Sequence, residues 1–387
     1  MQLFFDTRIS RILRRTVILL FAGLVLFSLS GNRAARADAN GVWTVKQANQ
    51  WQKKHGWKVG CNFSPAYAVN ELEMWQADTF DIAAMDRELG YAESLGFNSV
   101  RVFLHDLLWQ EDSKGFLNRM DKVLGAADKH HIGVMFTLLD SCWDPFPKAG
   151  KQREPTPHVH NSGWVQSPGK EILQDPARYD SLKPYITGVL RRFKNDRRID
   201  AWDLFNEPDN PNTSAYGPVE LPNKPDFALR LLTKEVGWAR EVKPSQPLTI
   251  DIWYGSWNDR AKLNPMQKFS LENSDVISFH CYGKPDDLKQ RIDDLRQWNR
   301  PLLCTEYMAR PNGSEFAPSL EIMKAAGVAA YNWGFVSGKT QTIYPWDSWK
   351  KTYTEEPPVW FHDIFRPDGS PYRPEEVAYI RRVTGKG

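Results

Sequence analysis

The chain has 387 residues, 41% of them hydrophobic and 25% charged, a composition that belongs to an ordinary folded protein and excludes extended disorder. Its formal net charge is +3, yet residues 1–37 alone carry six Arg and one Asp, so the remainder is slightly acidic. That balance excludes a basic face built for nucleic acid or an anionic membrane.

The first element is a leader. Arg8, Arg11, Arg14 and Arg15 precede an uncharged run over 16–30, which ends in the small-residue sequence Ala35-Arg36-Ala37. Basic, apolar and A-x-A segments in that order predict a signal peptide over 1–37, removed on export to the periplasm or the exterior. The uncharged run is shorter than the roughly 20 residues a spanning helix needs, so no stable membrane association is expected after cleavage. Residues 38–387 are expected to form a single domain.

From residue 56 onward, short apolar strands bounded by polar residues or Gly recur. They read as 57–63, 99–104, 133–139, 199–205, 248–253, 276–282, 302–306 and 328–335. Between them, apolar residues fall at helix spacing, as in Ile82, Met85, Leu89, Ala92 and Leu95, then Leu117, Met120, Val123, Leu124 and Ala127. Further helical stretches cover 182–193, 227–239, 288–298, 320–326 and 375–383, with a weaker signal at 265–271. Eight alternations of strand and helix predict an α/β fold of the (β/α)8 barrel type rather than a doubly wound sheet, and no GxGxxG or P-loop string occurs.

Such a barrel carries its active site at the carboxyl ends of the strands. Three of the loops there are long, 141–172, 209–225 and 337–358, and they hold Trp143, Trp164, Tyr216, Tyr344, Trp346 and Trp349. They predict an aromatic-lined cleft. At the end of the fourth strand, AWDLFNEPDN places Glu207 where an apolar run stops; at the end of the seventh, RPLLCTEYMAR places Glu306. Two carboxyls facing one cleft suit the cleavage of an acetal, which needs a proton for the leaving oxygen and a nucleophile or base for the anomeric carbon.

The strand ends extend this pattern. Asn206-Glu207-Pro208, Glu306, the arginine of Ser99-Val100-Arg101, the His280-Cys281-Tyr282 triplet and Trp333 in YNWGF stand in order on successive strands. Together they resemble glycoside hydrolase family 5, the cellulase-like branch of the retaining barrel glycosidases, over essentially all of 56–385. The resemblance implies that Glu207 is the acid/base and Glu306 the nucleophile. It implies further that Arg101 and Tyr282 support Glu306, that His280 belongs to the same site, that Asn206 binds a sugar hydroxyl and that Trp333 lies under the sugar ring. Glu207 is expected to have a raised pKa, and Glu306 to be kept ionised by Arg101. His105 and Trp143 are further candidates for substrate contact.

The function expected is hydrolysis of β-glycosidic bonds in a polysaccharide or oligosaccharide, an endo-β-1,4-glucanase or mannanase-like activity, with exo action as the alternative. A carbohydrate-binding barrel without turnover is the reading from another class. No cofactor and no metal are expected: His130-His131 and His158-Val159-His160 lack strand-end carboxylates in a ligand pattern. A monomer with carbohydrate as its partner is expected. Of the four cysteines, Cys281 shares its strand with His280 and Tyr282, while Cys304 has the parity of Glu306. Strand alternation then predicts opposite faces for the two, and buried thiols rather than a bridge.

Overall fold

The computed structural model describes residues 41–387; the leader expected over 1–37 lies outside the described residues. Eight strands form one parallel sheet: β1 Val59–Asn62, β2 Ser99–Phe103, β3 Gly133–Asp140, β4 Ile199–Asn206, β5 Leu248–Thr249, β6 Ile277–Cys281, β7 Leu302–Tyr307 and β8 Ala329–Asn332. The ladder runs β5-β4-β3-β2-β1-β8-β7-β6. β5 and β6 then meet through a bridge between Ile252 and Phe279 and a 2.7 Å hydrogen bond between the hydroxyls of Thr249 and Ser278. The result is a (β/α)8 barrel with helices between the strands.

Where strand and expectation differ, the backbone donors explain it. The expected strand 248–253 pairs with β4 only at Leu248 and Thr249, because the Ile250 N–H turns to the Ser274 hydroxyl at 3.1 Å, and Ile252 then bridges β6 instead. The weak helical signal at 265–271 is a helix, Pro265–Asn273, started by a capping box between Asn264 and Gln267. A helix over Val45–His55 was not foreseen. It too starts with a capping box, Thr44 with Gln47, but its apolar stripe is too sparse to stand out.

The strands separate two environments. Outward side chains such as Val100, Val102, Phe136, Trp202, Ile277 and Phe279 pack against the helices in the main core. Inside, a small apolar floor of Met135, Ala201, Val276, Leu303, Ala329 and Tyr331 is closed from below by Trp43 and Trp51 of the first helix and its approach. Above the floor the interior turns polar, with Arg101, Thr137, Asp203, Asp251 and Thr305 all essentially inaccessible.

One irregularity aims a key side chain. Phe279 and His280 of β6 are neighbours, yet they face Cys304 and Glu306 of β7, so Thr305 is an extra residue in the register. The same shift recurs against β8, where Ala330 and Asn332 face Cys304 and Tyr307. This bulge reverses the alternation. Thr305 points inward to donate to Asp251 at 2.9 Å, and Glu306 points inward as well. Cys304 therefore faces the helix layer with Cys281, both in the main core, and the expectation of opposite faces fails because alternation does not survive a bulge. All four cysteines are free, three of them buried and Cys142 half-buried.

Candidate active site

Arg101 organises the mouth of the barrel. It projects inward from β2 and is fully buried. Its Nη1 donates to Glu306 Oε1 and to Asn62 Oδ1, both at 2.9 Å. Its Nη2 donates to Asp203 at 2.5 Å, to Asn206 Oδ1 at 2.7 Å and to Asp251 at 2.7 Å. One guanidinium thus faces three carboxyls, a fork of fixed donors that lysine could not reproduce. Burial and the charge of Asp251 push the Asp203 carboxyl up. For Asp251, burial acts in the same sense but is outweighed by Arg101 and His280, which hold it low.

The two glutamates sit on this platform in different ways. Glu306 accepts from Arg101 through one oxygen and from the Tyr282 hydroxyl through the other, at 2.7 Å. Glu207 follows β4 in the left-handed region, φ 39°, and this turn swings its carboxyl into the cleft. It lies 2.7 Å from His280 Nδ1 through Oε1, accepts from Asn210 Nδ2 at 2.6 Å through Oε2, and receives a longer contact from the Cys142 thiol at 3.4 Å. Asn206 connects the two regions. Its oxygen is on Arg101 and its nitrogen donates to Asp140 at 2.9 Å.

The electrostatics depart from expectation at Glu306. Burial pushes its carboxyl up, and the charge of Glu207 adds to that; His280, Arg101 and the Tyr282 hydroxyl act in the opposite sense without cancelling it. Arg101 does favour the anion, as expected, but desolvation of a carboxyl at the barrel mouth is the larger effect. His280 is the converse. Burial disfavours its charge, but Glu306 and Asp251 raise its pKa well above the ordinary value.

An oxygen from each glutamate and a nitrogen of His280 lie within 4.8 Å of one another. Carboxyls about 5–5.5 Å apart attack the sugar directly, whereas about 6.5–9.5 Å leaves room for a water. The arrangement is therefore close enough for direct attack. By distance the same three groups are also close enough to hold a cation.

The cleft above this pair has a volume of about 690 Å³, and Trp143, Trp253, Tyr254, Tyr282, Trp333 and Trp346 line it. Asn206 and His280 line it as well. Trp333 stands edge-on to Phe103 and Trp164, with centroids 5.7 and 5.9 Å away, which fixes its plane. Trp143, at φ 70°, stacks on Trp349 with centroids 5.8 Å apart. The loops after β3 and β8 thus meet over the barrel. A buried hub ties the base of two of the mouth loops: Glu220 accepts from Gln166, Asn212 and Lys224 at 2.7, 2.6 and 2.8 Å, and Lys224 also reaches the Ser141 carbonyl at 2.7 Å.

Two expectations are corrected. His105 does not reach the cleft. It is fully buried, its Nδ1 caps the helix Asp106–Lys129 by accepting from Leu107 N at 3.1 Å, and its Nε2 bonds the Gln166 carbonyl at 3.0 Å. Trp164 and Tyr344, expected in the aromatic lining, are buried behind it, where Trp164 donates to Asp140 at 2.7 Å. The sequence reading missed Asp140, Asp203, Asp251, Cys142 and Asn210. Asp203 and Asp251 left a signal, since each is a charge inside an otherwise apolar strand; Cys142 and Asn210 lie in loops and left none.

Comparison with known proteins agrees with this geometry. The chain is similar over 232 residues to mannan endo-1,4-beta-mannosidase 5 of Arabidopsis thaliana, at 22% identity and covering 52% of each chain, so it spans about half the length of that curated relative. Among solved structures, its fold is similar to a Streptomyces cattleya family 5 protein in complex with Manβ1-4GlcNAc, with a TM-score of 0.57, 13% identity and coverage of 85% of this chain and 80% of that one. It is likewise similar to the exo-beta-1,4-mannosidase of Opitutaceae bacterium strain TAV5, with a TM-score of 0.54, 19% identity and coverage of 85% and 59%. Residues 60–339 match the sequence profile described as cellulase (glycosyl hydrolase family 5), and with the barrel and its paired glutamates in place, this chain belongs to that family.

Proposed function

We propose that the protein hydrolyses β-1,4 links of mannan or its oligosaccharides with retention of configuration, Glu306 acting as nucleophile and Glu207 as acid and base. The observation that carries this reading is that an oxygen of each of two carboxyls lies within 4.8 Å of one of the other across one cleft, one carboxyl fixed by Arg101 and Tyr282 and the other set against His280 and Asn210. Glu306 attacks the anomeric carbon while Glu207 gives its proton to the departing oxygen. Water then attacks the glycosyl-enzyme ester as Glu207 takes a proton from it, and both carboxyls return to their starting state. Asn206 is the partner for the 2-hydroxyl, and Trp333 offers an apolar face to the C–H side of the ring. The choice of mannan rests on what the named relatives act on.

Exo action is the second reading, supported by the stacking of Trp143 on Trp349, which brings two mouth loops together beside the cleft. Export through the 1–37 leader and a monomeric state belong to the same proposal. The test is reducing-end release by residues 38–387 on mannan, β-glucan, xylan and aryl glycosides, with product anomers followed by NMR. Activity on mannan, retained configuration and its loss in both Glu207→Gln and Glu306→Gln support the reading; glycan binding without turnover in the parent replaces it with the binding barrel. Product lengths separate endo from exo action.

A further inference from the structure

We propose that Asn161 is a specificity-determining residue, whose amide hydrogen-bonds a hydroxyl of the sugar that rests on Trp333. The proposal rests on the glycosidase reading above and adds a residue to it.

Three observations carry it. Asn161 is 1% exposed, yet neither Nδ2 nor Oδ1 of its side chain has a hydrogen-bond partner among the described residues. Buried amides are almost always paired, because water lost on burial must be replaced. Second, its backbone is held in the left-handed region at φ 45°, and its neighbours are pinned all round. Asn161 N donates to Thr340 O at 2.8 Å and its carbonyl accepts from Trp164 N at 3.1 Å; His160 N donates to Ser348 Oγ at 3.0 Å, and the His160 carbonyl accepts from Trp349 Nε1 at 2.8 Å. A strained residue held by bonds on every side, with its own side chain bonded to nothing, is a group kept ready for something else.

Third, its position says what that is. Asn161 lines the main cleft together with Trp333 and Glu306, and also a chamber of about 20 Å³ behind Trp333, shared with Trp164, Phe103 and Ser64. The Ser64 hydroxyl is likewise buried without a partner. Asn161 thus borders both spaces, on either side of Trp333. A pyranose lying on the Trp333 face presents hydroxyls at its edge. A hydroxyl both donates and accepts, so it can pair with either end of an amide.

The test uses Asn161→Gly, which suits a positive φ and removes the amide, and Asn161→Asp, which keeps the shape but loses the donor. Manno-oligosaccharides and their monodeoxy analogues serve as substrates in turnover assays and as ligands in calorimetric titration against Glu306→Gln, each with the parent alongside. We expect Asn161→Gly to lower kcat/KM about tenfold or more with an unchanged melting temperature, since the lost group bonds nothing in the free protein. We also expect one deoxy analogue to lose binding in the parent but no further binding in the variant. Unchanged kcat/KM and binding in Asn161→Gly while the parent turns over mannan would overturn the role of Asn161 alone. A drop of several degrees in melting temperature with equal losses on every analogue would make it a structural residue. A parent that neither binds nor hydrolyses these glycans removes both readings.

Discussion

The two ends of the barrel interior are built on opposite electrostatic plans. At the floor, the ion pair of Lys58 with Asp200 at 2.7 Å is completed by the Ser99 hydroxyl, which donates to the second Asp200 oxygen at 2.7 Å and contacts Tyr331 at 2.8 Å. Charge is balanced there, and the surroundings are apolar. At the mouth, Arg101 faces Asp203, Asp251 and Glu306 together, His280 stands between Glu207 and Glu306, and one oxygen of Asp203 is left without a partner. A protein selected for stability alone would have built both ends like the floor. The excess of carboxyls marks the end where stability has been given up for reactivity.

The sharpest way to break the contrast is to remove its central cation. Arg101→Met leaves three buried carboxyls uncompensated and is expected to destabilise the fold by about 3–5 kcal/mol in urea unfolding, with no detectable turnover. Lys58→Met leaves one buried carboxyl, Asp200, without its cation rather than three, and is expected to cost less, about 2–3 kcal/mol, and to leave kcat unchanged. Equal effects of the two substitutions would dissolve the distinction.

Next in size is Tyr282→Phe. The hydroxyl donates to the Glu306 carboxylate and favours its charged form, so its loss raises a pKa that burial has already lifted. In the proposed mechanism Glu306 must be ionised to attack, so activity is lost as pH falls through that pKa. The acid limb of kcat/KM should therefore move to higher pH in the variant, with about a tenfold loss at its former midpoint. A pH–rate profile from 4 to 9 checks it, and an unmoved limb would assign that limb to another group.

Asp363 extends the comparison to the wall behind Trp333. Burial pushes its carboxyl up to about 6 from an ordinary 3.8, against the Thr342 hydroxyl and Arg310. A carboxyl raised on folding contributes stability in its protonated form, present below the unfolded pKa and lost as pH rises through the folded one. The melting temperature should therefore fall between about pH 4 and pH 6 from this group, and Asp363→Asn should flatten that slope in calorimetry. The smallest effect is expected at the floor: Trp51→Ala thins the packing under Tyr331 and Ala329, at about 1 kcal/mol, with kinetics unaltered.

How much of this was legible in the sequence depended on distance along the chain. The strands and most helices were readable because hydrophobic periodicity is local, and Glu207, Glu306, Arg101, Tyr282 and Trp333 were readable because each sits at or near a strand end, where position alone implies the mouth. His105 met the same criterion and misled, since a residue ending a strand can equally begin the next helix and cap it. Asn161 and Cys142 were invisible, because a loop of this length has no period and its side chains are aimed by contacts with Thr340, Ser348 and Asn210 that only the folded chain creates. The Cys304 prediction failed for the same reason in miniature: the register shift in β7 is set by its neighbours, β6 and β8.

That shift makes β7 behave like a reading frame. Thr305 is the inserted letter, and everything beyond it toward the mouth is read on the opposite face from what alternation dictates. Deleting this one residue would leave Cys304 outward, Glu306 inward and Tyr307 still packed on Phe316, in strict alternation; what the inserted letter adds is a second inward side chain beside Glu306, the Thr305 hydroxyl that donates to Asp251.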